Sequence, residues 1–184
     1  MKSLFCFCLC MVSLLTACSS HKKGQNDDIQ VITKDSVVTD SLQRMPISDS
    51  KVLINYKGKQ YHSTVLRKPD EGLPIVVNDE GSRFVDNRIL LKIVCDGKVV
   101  LDKAFTKQSF ASFVDQDFLD NAILDGLVYD KITPQGLQYA ASLCYPQTDL
   151  YIPLSVTVTQ GGKISMAKEE LIEDLYDSST DSVK

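Results

Sequence analysis

A lone histidine, a run of carboxylates and two tyrosines flanking an aspartate are the side chains here whose types and spacing could do chemistry. His62 stands beside Tyr61 and Ser63 and could serve as a general base, since the members of a Ser-His-Asp set need not be neighbours in sequence. The chain has no G-x-S-x-G elbow, no H-E-x-x-H pair and no phosphate-cradling glycine loop. His62 therefore reads as a surface or half-buried structural residue, with a hydrolase using His62 or a carboxylate pair kept as the alternative. Asp115, Asp117, Asp120 and Asp125 form the densest acidic run. A calcium loop needs ligands at alternate positions, a Gly at the sixth and a Glu at the twelfth. Registers starting at Asp115 or Asp120 put an Asp where that Gly must be, so helix capping and a solvated face account for these acids. With no Trp in the chain, an aromatic sugar platform would need Tyr or Phe, and a glycosidase pair needs a separation that sequence does not supply. Tyr145, Asp149 and Tyr151 flank a Pro-bracketed loop and are the candidate recognition edge. The competing reading is a rigid connection whose rings lie on the core. Asp86-Asn87-Arg88 reads either as a polar rim or, with slight preference, as an edge device against aggregation.

Thiol chemistry offers the sharpest signal. Met1 to Ala17 has a positive start at Lys2, an apolar stretch from Leu4 to Leu15, and small residues leading to a cut, the three parts of an export signal. The stretch is shorter than the roughly 20 apolar residues that span a bilayer. Leu15 is too bulky for the far position of an ordinary A-x-A cut. Leu15-Thr16-Ala17-Cys18 instead looks like a bacterial lipobox, in which the Cys receives a diacylglyceryl group. Each buried methylene contributes about 0.8 kcal/mol, and two acyl chains anchor stably where one is marginal. The expectation is a chain cut before Cys18 and held on a membrane by lipid. An ordinary secreted protein is the competing reading.

Cys6, Cys8 and Cys10 leave with that leader, so Cys95 and Cys144 remain. An exported pair can form a disulfide. Cys95, however, shares the side-chain phase of Ile89, Leu91 and Ile93, whereas Cys144 is opposite in phase to Leu137, Tyr139, Ala141 and Leu143. Two free thiols are expected rather than a bridge. With no CxxC pair and no nearby His, no metal site and no cofactor is expected.

Of 20 basic and 24 acidic residues only Lys2 leaves with the leader, so the mature balance is mildly acidic. That argues against nucleic acid or anionic head groups as partners. The length suits one domain. Residues 18–50 are polar and lack aromatic residues after the cut. Such a segment cannot offset its ordering entropy and reads as a flexible tether with a reach on the order of 30 Å. The globular domain is expected over 51–176, with a frayed tail at 177–184.

Within that domain Val52, Ile54 and Tyr56 alternate with polar neighbours, and Lys57-Gly58 turns into a return strand. Phe84 to Cys95 reads as one long strand, turned back at Asp96-Gly97, the strongest hairpin dipeptide of the chain. Phe110, Phe113, Val114 and Phe118 switch to helical spacing, predicting an amphipathic helix over 107–121, with Asp115 able to divide it by starting a new cap. Strands resume over 123–132 and 137–145. Ile152, Leu154, Val156 and Val158 alternate with Ser155, Thr157 and Thr159, which favours an antiparallel sheet with one wet face. Helix-forming composition over 167–176 predicts a short C-terminal helix. The fold expected is mainly β: an antiparallel meander of seven or eight strands forming a sandwich or partial barrel, with the middle helix over one opening.

The segments Arg67-Lys68-Pro69-Asp70, Phe84-Val85-Asp86-Asn87-Arg88-Ile89, Phe105-Thr106-Lys107-Gln108-Ser109-Phe110 and Tyr145-Pro146-Gln147-Thr148-Asp149 resemble a family of small Bacteroidetes lipoproteins catalogued only as a domain of unknown function. The resemblance implies a Gram-negative envelope and carries no activity. Lys22 and Lys23 precede Asp27-Asp28, whereas outward-displayed lipoproteins of that phylum tend to place acids directly after the Cys. An outer-membrane protein facing the periplasm is therefore favoured over a cell-surface one. The function expected is non-catalytic binding of a small ligand or another envelope protein. The alternatives are the hydrolase and a structural or assembly role without a pocket.

Overall fold

In a computed structural model residues 41–170 are described, all within the unit Val37–Lys184. The leader, Cys18, most of the tether and the tail lie outside them.

Two alternating runs joined by Lys57-Gly58 make a hairpin of β1 (Ser48–Tyr56) and β2 (Lys59–Pro69). Both turn residues have positive φ, at 48° and 74°, as a twist-matched two-residue turn requires. A short ribbon of β3 (Val76–Val77) and β4 (Arg83–Phe84) follows. Then β5 (Asn87–Cys95) turns at Asp96-Gly97 into β6 (Lys98–Phe105). A 3-10 helix (Lys107–Phe113) and α1 (Gln116–Asn121) lead to β7 (Ile123–Ile132), β8 (Leu137–Cys144), β9 (Tyr151–Val158) and β10 (Ile164–Lys168). One four-stranded sheet runs β1-β2-β5-β6 and the other β10-β9-β8-β7, with antiparallel neighbours throughout.

The two sheets pack as a β-sandwich. Period-two alternation sends Ile54, Tyr61, Val65, Ile89, Leu91 and Ile93 inward from one sheet, to meet Leu124, Leu127, Leu137, Tyr139, Leu143 and Val156 of the other in one core. Each fully buried aliphatic side chain stabilises by about 1.5–3 kcal/mol. Ser63 lies on the inner face of β2, and its hydroxyl shares a 2.7 Å hydrogen bond with the Tyr139 hydroxyl, so the core's central polar atoms satisfy each other.

Several expectations need correction. Ordered structure reaches back into the segment read as tether: Gln43 bridges Phe84 in parallel and β1 starts at Ser48. The strand expected over 84–95 is interrupted at Val85-Asp86, because the Asp86 side chain takes backbone amides instead of continuing a ladder. The division of the middle helix at Asp115 is the one allowed above: a 3-10 piece and an α piece meet there, with Val114 and Asp115 both extended. Ala167 and Lys168 belong to β10, not to a helix. They pair with Ser155 and Leu154, and sheet pairing outweighs the weak helix propensity of so short a run. The rest of that expected helix beyond residue 170 lies outside the described residues. Ser155, expected on the wet face, is 6% exposed; β9 is an inner strand and Ser155 is flanked by Ala140 and Ala167.

Candidate functional site

At one end of the sandwich the inner face turns from apolar to polar. Along β2 the inward series Tyr61, Ser63, Val65 ends in Arg67, and along β5 the series Cys95, Ile93, Leu91, Ile89 ends in Asn87. Arg67 Nη1 donates to the Asp125 carbonyl, and Nη2 donates to the Pro46 carbonyl at 3.3 Å. Asn87 is fully buried; its Nδ2 donates to the Leu124 carbonyl at 3.0 Å and to Met45 Sδ at 3.1 Å. Asp86, 1% exposed, accepts from the amides of Asn87 and Leu124 at 2.7 and 2.8 Å. Burial pushes its carboxyl above the usual range, opposed by those two amides and by the Lys107 charge. Lys107, itself buried, gives its Nζ to the carbonyls of Asp120 and Ala122 at 3.1 and 2.9 Å, satisfying carbonyls that α1 leaves open at its C-terminal end. Burial lowers the pKa of that amine, and Asp86 and Asp120 pull it back.

Asp86-Asn87-Arg88 is thus neither a rim nor an edge device: β5 lies between β2 and β6, and its first residues are tied to β7. Arg88 pairs with Asp70, whose carboxyl it holds below the ordinary range together with the Gly72 amide. The four segments that carried the family resemblance all reach this end of the molecule. Arg67, Asp86 and Asn87 meet at the start of β7, Lys107 reaches Ala122 just before it, Asp70 joins through Arg88, and the loop between β8 and β9 closes over this end. This convergence was missed in the sequence because it depends on register. The usable signal was polar residues continuing an apolar phase in both strands.

The loop over 145–149 joins three concavities. One of about 470 Å³ is lined by Asp79, Glu80, Asp117, Asn121, Tyr145 and Gln147, among others. A second of about 400 Å³ lies between the strap 43–46 and the ends of β4, β7 and β8, with Met45, Phe84, Ile123, Cys144 and Tyr145 on its walls. A third of about 450 Å³ takes Asp125, Ser142, Cys144, Asp149 and Tyr151. The three residues of the expected recognition edge therefore all line cavities, although Tyr145 faces different ones from Asp149 and Tyr151. The Tyr145 ring stacks on Phe118 at 4.7 Å, which makes it a firm wall; Asp149 and Tyr151 are exposed. Gln147 has φ of 64° and its Nε2 donates to Gln43 Oε1 at 3.1 Å, linking loop to strap.

The other candidates lie elsewhere. His62 sits on the outer face of β2, exposed, opposite Leu53 and Val94, and lines none of these cavities. Ser142 Oγ donates to Asp125 Oδ2 at 3.0 Å, and among the described residues no imidazole joins that pair. Asp115, Asp117 and Asp120 are exposed along α1 and its cap, with Asp125 beyond on β7; no group of three or more acids, thiols or imidazoles among the described residues could hold a metal ion. Cys95 and Cys144 are free. Burial, with Asp125 and Asp86 adding to it, pushes the Cys144 thiol up to about 11 against the Arg67 charge, so it stays protonated and weakly nucleophilic at neutral pH. The site combines cavity walls with hydrogen-bonding groups, the Ser142–Asp125 pair among them.

No curated protein matches the chain. A family described as a domain of unknown function, DUF4738, matches residues 27–166, which takes in the strap, every residue of the polar end and both sheets up to the middle of β10. The chain is a member of that family.

Proposed function

We propose that this is a lipid-anchored protein of the Bacteroidetes envelope, attached through Cys18 to the outer membrane and facing the periplasm, whose sandwich is a non-catalytic binding module. The observation that carries the binding role is the convergence of three concavities on the single loop over 145–149. A structural or assembly protein has no need of such a surface. The lipobox Leu15-Thr16-Ala17-Cys18 supports the anchor, and two or three acyl chains would make the attachment stable where one is marginal. Partners reach the protein from the periplasm or from the same leaflet, and are either small ligands or other envelope proteins.

Mass spectrometry of the native N-terminus tests the anchor, with a diacylglyceryl thioether on residue 18 as the expected result. Cys18→Ala should leave the leader uncut and abolish labelling by palmitate. A bare Cys18 in a soluble periplasmic fraction would overturn the anchor. Crosslinking from photoreactive residues at Tyr145 and Tyr151 tests the binding surface. Saturable adducts confined to these positions are expected, and equal labelling from the outer face at His62 would overturn it.

A further inference from the structure

We infer that β1 is a dimerisation edge: two copies of this chain pair their β1 strands antiparallel about a two-fold axis through Ser50, joining their first sheets into one. This goes beyond the binding role and makes no use of the loop over 145–149. An open sheet edge invites strand addition unless it is short, bulged or covered. Three of the four edges of the sandwich carry such a protection. β10 has five residues, and β7 breaks register twice against β8. β6 has Val100 as an extra residue at the Ile93-Val94 step, and the turn at Gly162 lies against the Val100 carbonyl. β1, the fourth edge, runs nine residues in unbroken register with β2 and contains no proline. The turn Lys57-Gly58 closes on the pair Tyr56–Lys59, the hydrogen-bonded pair of a two-residue hairpin. Antiparallel pairs alternate from there, so the backbone groups of Asn55, Leu53, Lys51 and Asp49 point to the open side. Those groups have no backbone partner among the described residues.

The residues of this edge point to a second copy as the occupant, because they are complementary to themselves. A two-fold pairing that satisfies the outward groups must set odd-numbered residues opposite odd-numbered ones. With the axis at Ser50, Asp49 meets the second copy's Lys51, and Lys51 meets its Asp49. Each chain's own Asp49–Lys51 pair is exposed and 3.1 Å apart. The axis lays the two pairs head to tail, so every carboxylate gains a second ammonium. The same register sets Ile47 opposite Leu53, large apolar side chains that are 69% and 53% exposed. Opposite charges and apolar pairs facing across strands both stabilise a sheet. Neighbouring registers lose this match. An axis at Asp49 or at Lys51 sets that charge against itself, and an axis at Val52 sets Asp49 against Asn55 and Lys51 against Leu53.

The test uses the full chain in its native membrane. At the axis Ser50 faces Ser50 in a non-hydrogen-bonded pair, whose Cα atoms lie about 4.5 Å apart, within the range of a disulfide. Ser50→Cys should therefore give a disulfide-linked dimer on mild oxidation, read on a non-reducing gel. Val52→Cys, about 13 Å from its counterpart at the strand rise, should not. Lys51→Glu faces Asp49 with a second acid and should weaken co-purification of differently tagged copies roughly tenfold, the sum of two reversed charge pairs. Asp49→Lys should do the same. Mixed with each other, the two variants should associate as wild type does, because only opposite charges then meet across the axis. Each chain's own Asp49–Lys51 pair stays broken in that mixture, so the recovery belongs to the interface and not to the fold of either chain. Ser50→Cys linking no faster than Val52→Cys would overturn the pairing, the result expected if the segment before residue 41 or another protein covers β1. Mixed variants that associate no better than either alone would overturn it as well.

Discussion

Ser63 and Tyr139 show how a single pair can join two sheets. Their 2.7 Å bond is buried, and truncating either hydroxyl strands the other. Ser63→Ala or Tyr139→Phe should each cost about 1–3 kcal/mol, while the double variant recovers part of that loss; urea unfolding measures all three. Burial pushes the Tyr139 phenol up to about 12, from an ordinary value of 10, despite the opposing Ser63 bond. The folded state thus favours the neutral phenol. Its contribution is complete below pH 10 and is lost as pH rises towards 12, by about 1.4 kcal/mol per unit. Unfolding free energies of wild type should fall more steeply than those of Tyr139→Phe over that interval. Asp86 presents the opposite problem, an acceptor whose partners are amides. Asp86→Ala should destabilise by about 2–5 kcal/mol, since it strands the amides of Asn87 and Leu124, whereas Asp86→Asn keeps an acceptor and should remain near wild type by thermal unfolding. Ser63 was legible as inward from the phase of Tyr61 and Val65. Asp86 was not, because its burial follows from a break in a strand that the apolar pattern of Phe84 to Cys95 does not reveal.

At the scale of elements, the turns were the most legible parts. Lys57-Gly58 and Asp96-Gly97 are hairpin turns with positive φ at both residues, and the chemistry that demands them is local. Gly136, in the turn between β7 and β8, has a spatial role: a Cβ there would lie 2.1 Å from the Val158 carbonyl oxygen. Gly136→Ala must push the β7–β8 turn off the end of β9. A loss of about 1–3 kcal/mol is expected, seen as a lowered thermal midpoint. The helical region was readable in period and in its division at Asp115, although the Asp115 side chain makes no capping bond and only its backbone carbonyl accepts, from the Leu119 amide. The end of the fold was misread for the converse reason. Residues 167 and 168 are strand only because β9 is there to pair with them, information that propensity does not contain.

For the whole molecule, the sandwich followed from alternation and tight turns, since both constrain sheets to antiparallel neighbours. The polar end did not, because four segments far apart in sequence have to be folded before they meet. Stability here rests on the shared core and not on covalent staples: Cys95 and Cys144 are free. Reduction with dithiothreitol should leave the thermal midpoint unchanged, and mass spectrometry under denaturing, non-reducing conditions should find both thiols open to alkylation. Under native conditions Cys144 should react far more slowly than a small-molecule thiol at pH 8, given its raised pKa.

The strap has a mechanical meaning as well. Any tension along the N-terminal chain enters the folded body at Gln43, before it can reach β1. What resists there is a pair of backbone bonds, the Arg44–Glu71 ion pair, the Gln147–Gln43 bond, the packing of Met45 and two weak side-chain contacts. A single molecule pulled from its N-terminus should therefore yield first at the strap, at low force and with a short extension, while both sheets stay intact behind it. The strap is held outside both four-stranded ladders, so a tug from that side would free it before either sheet gives way.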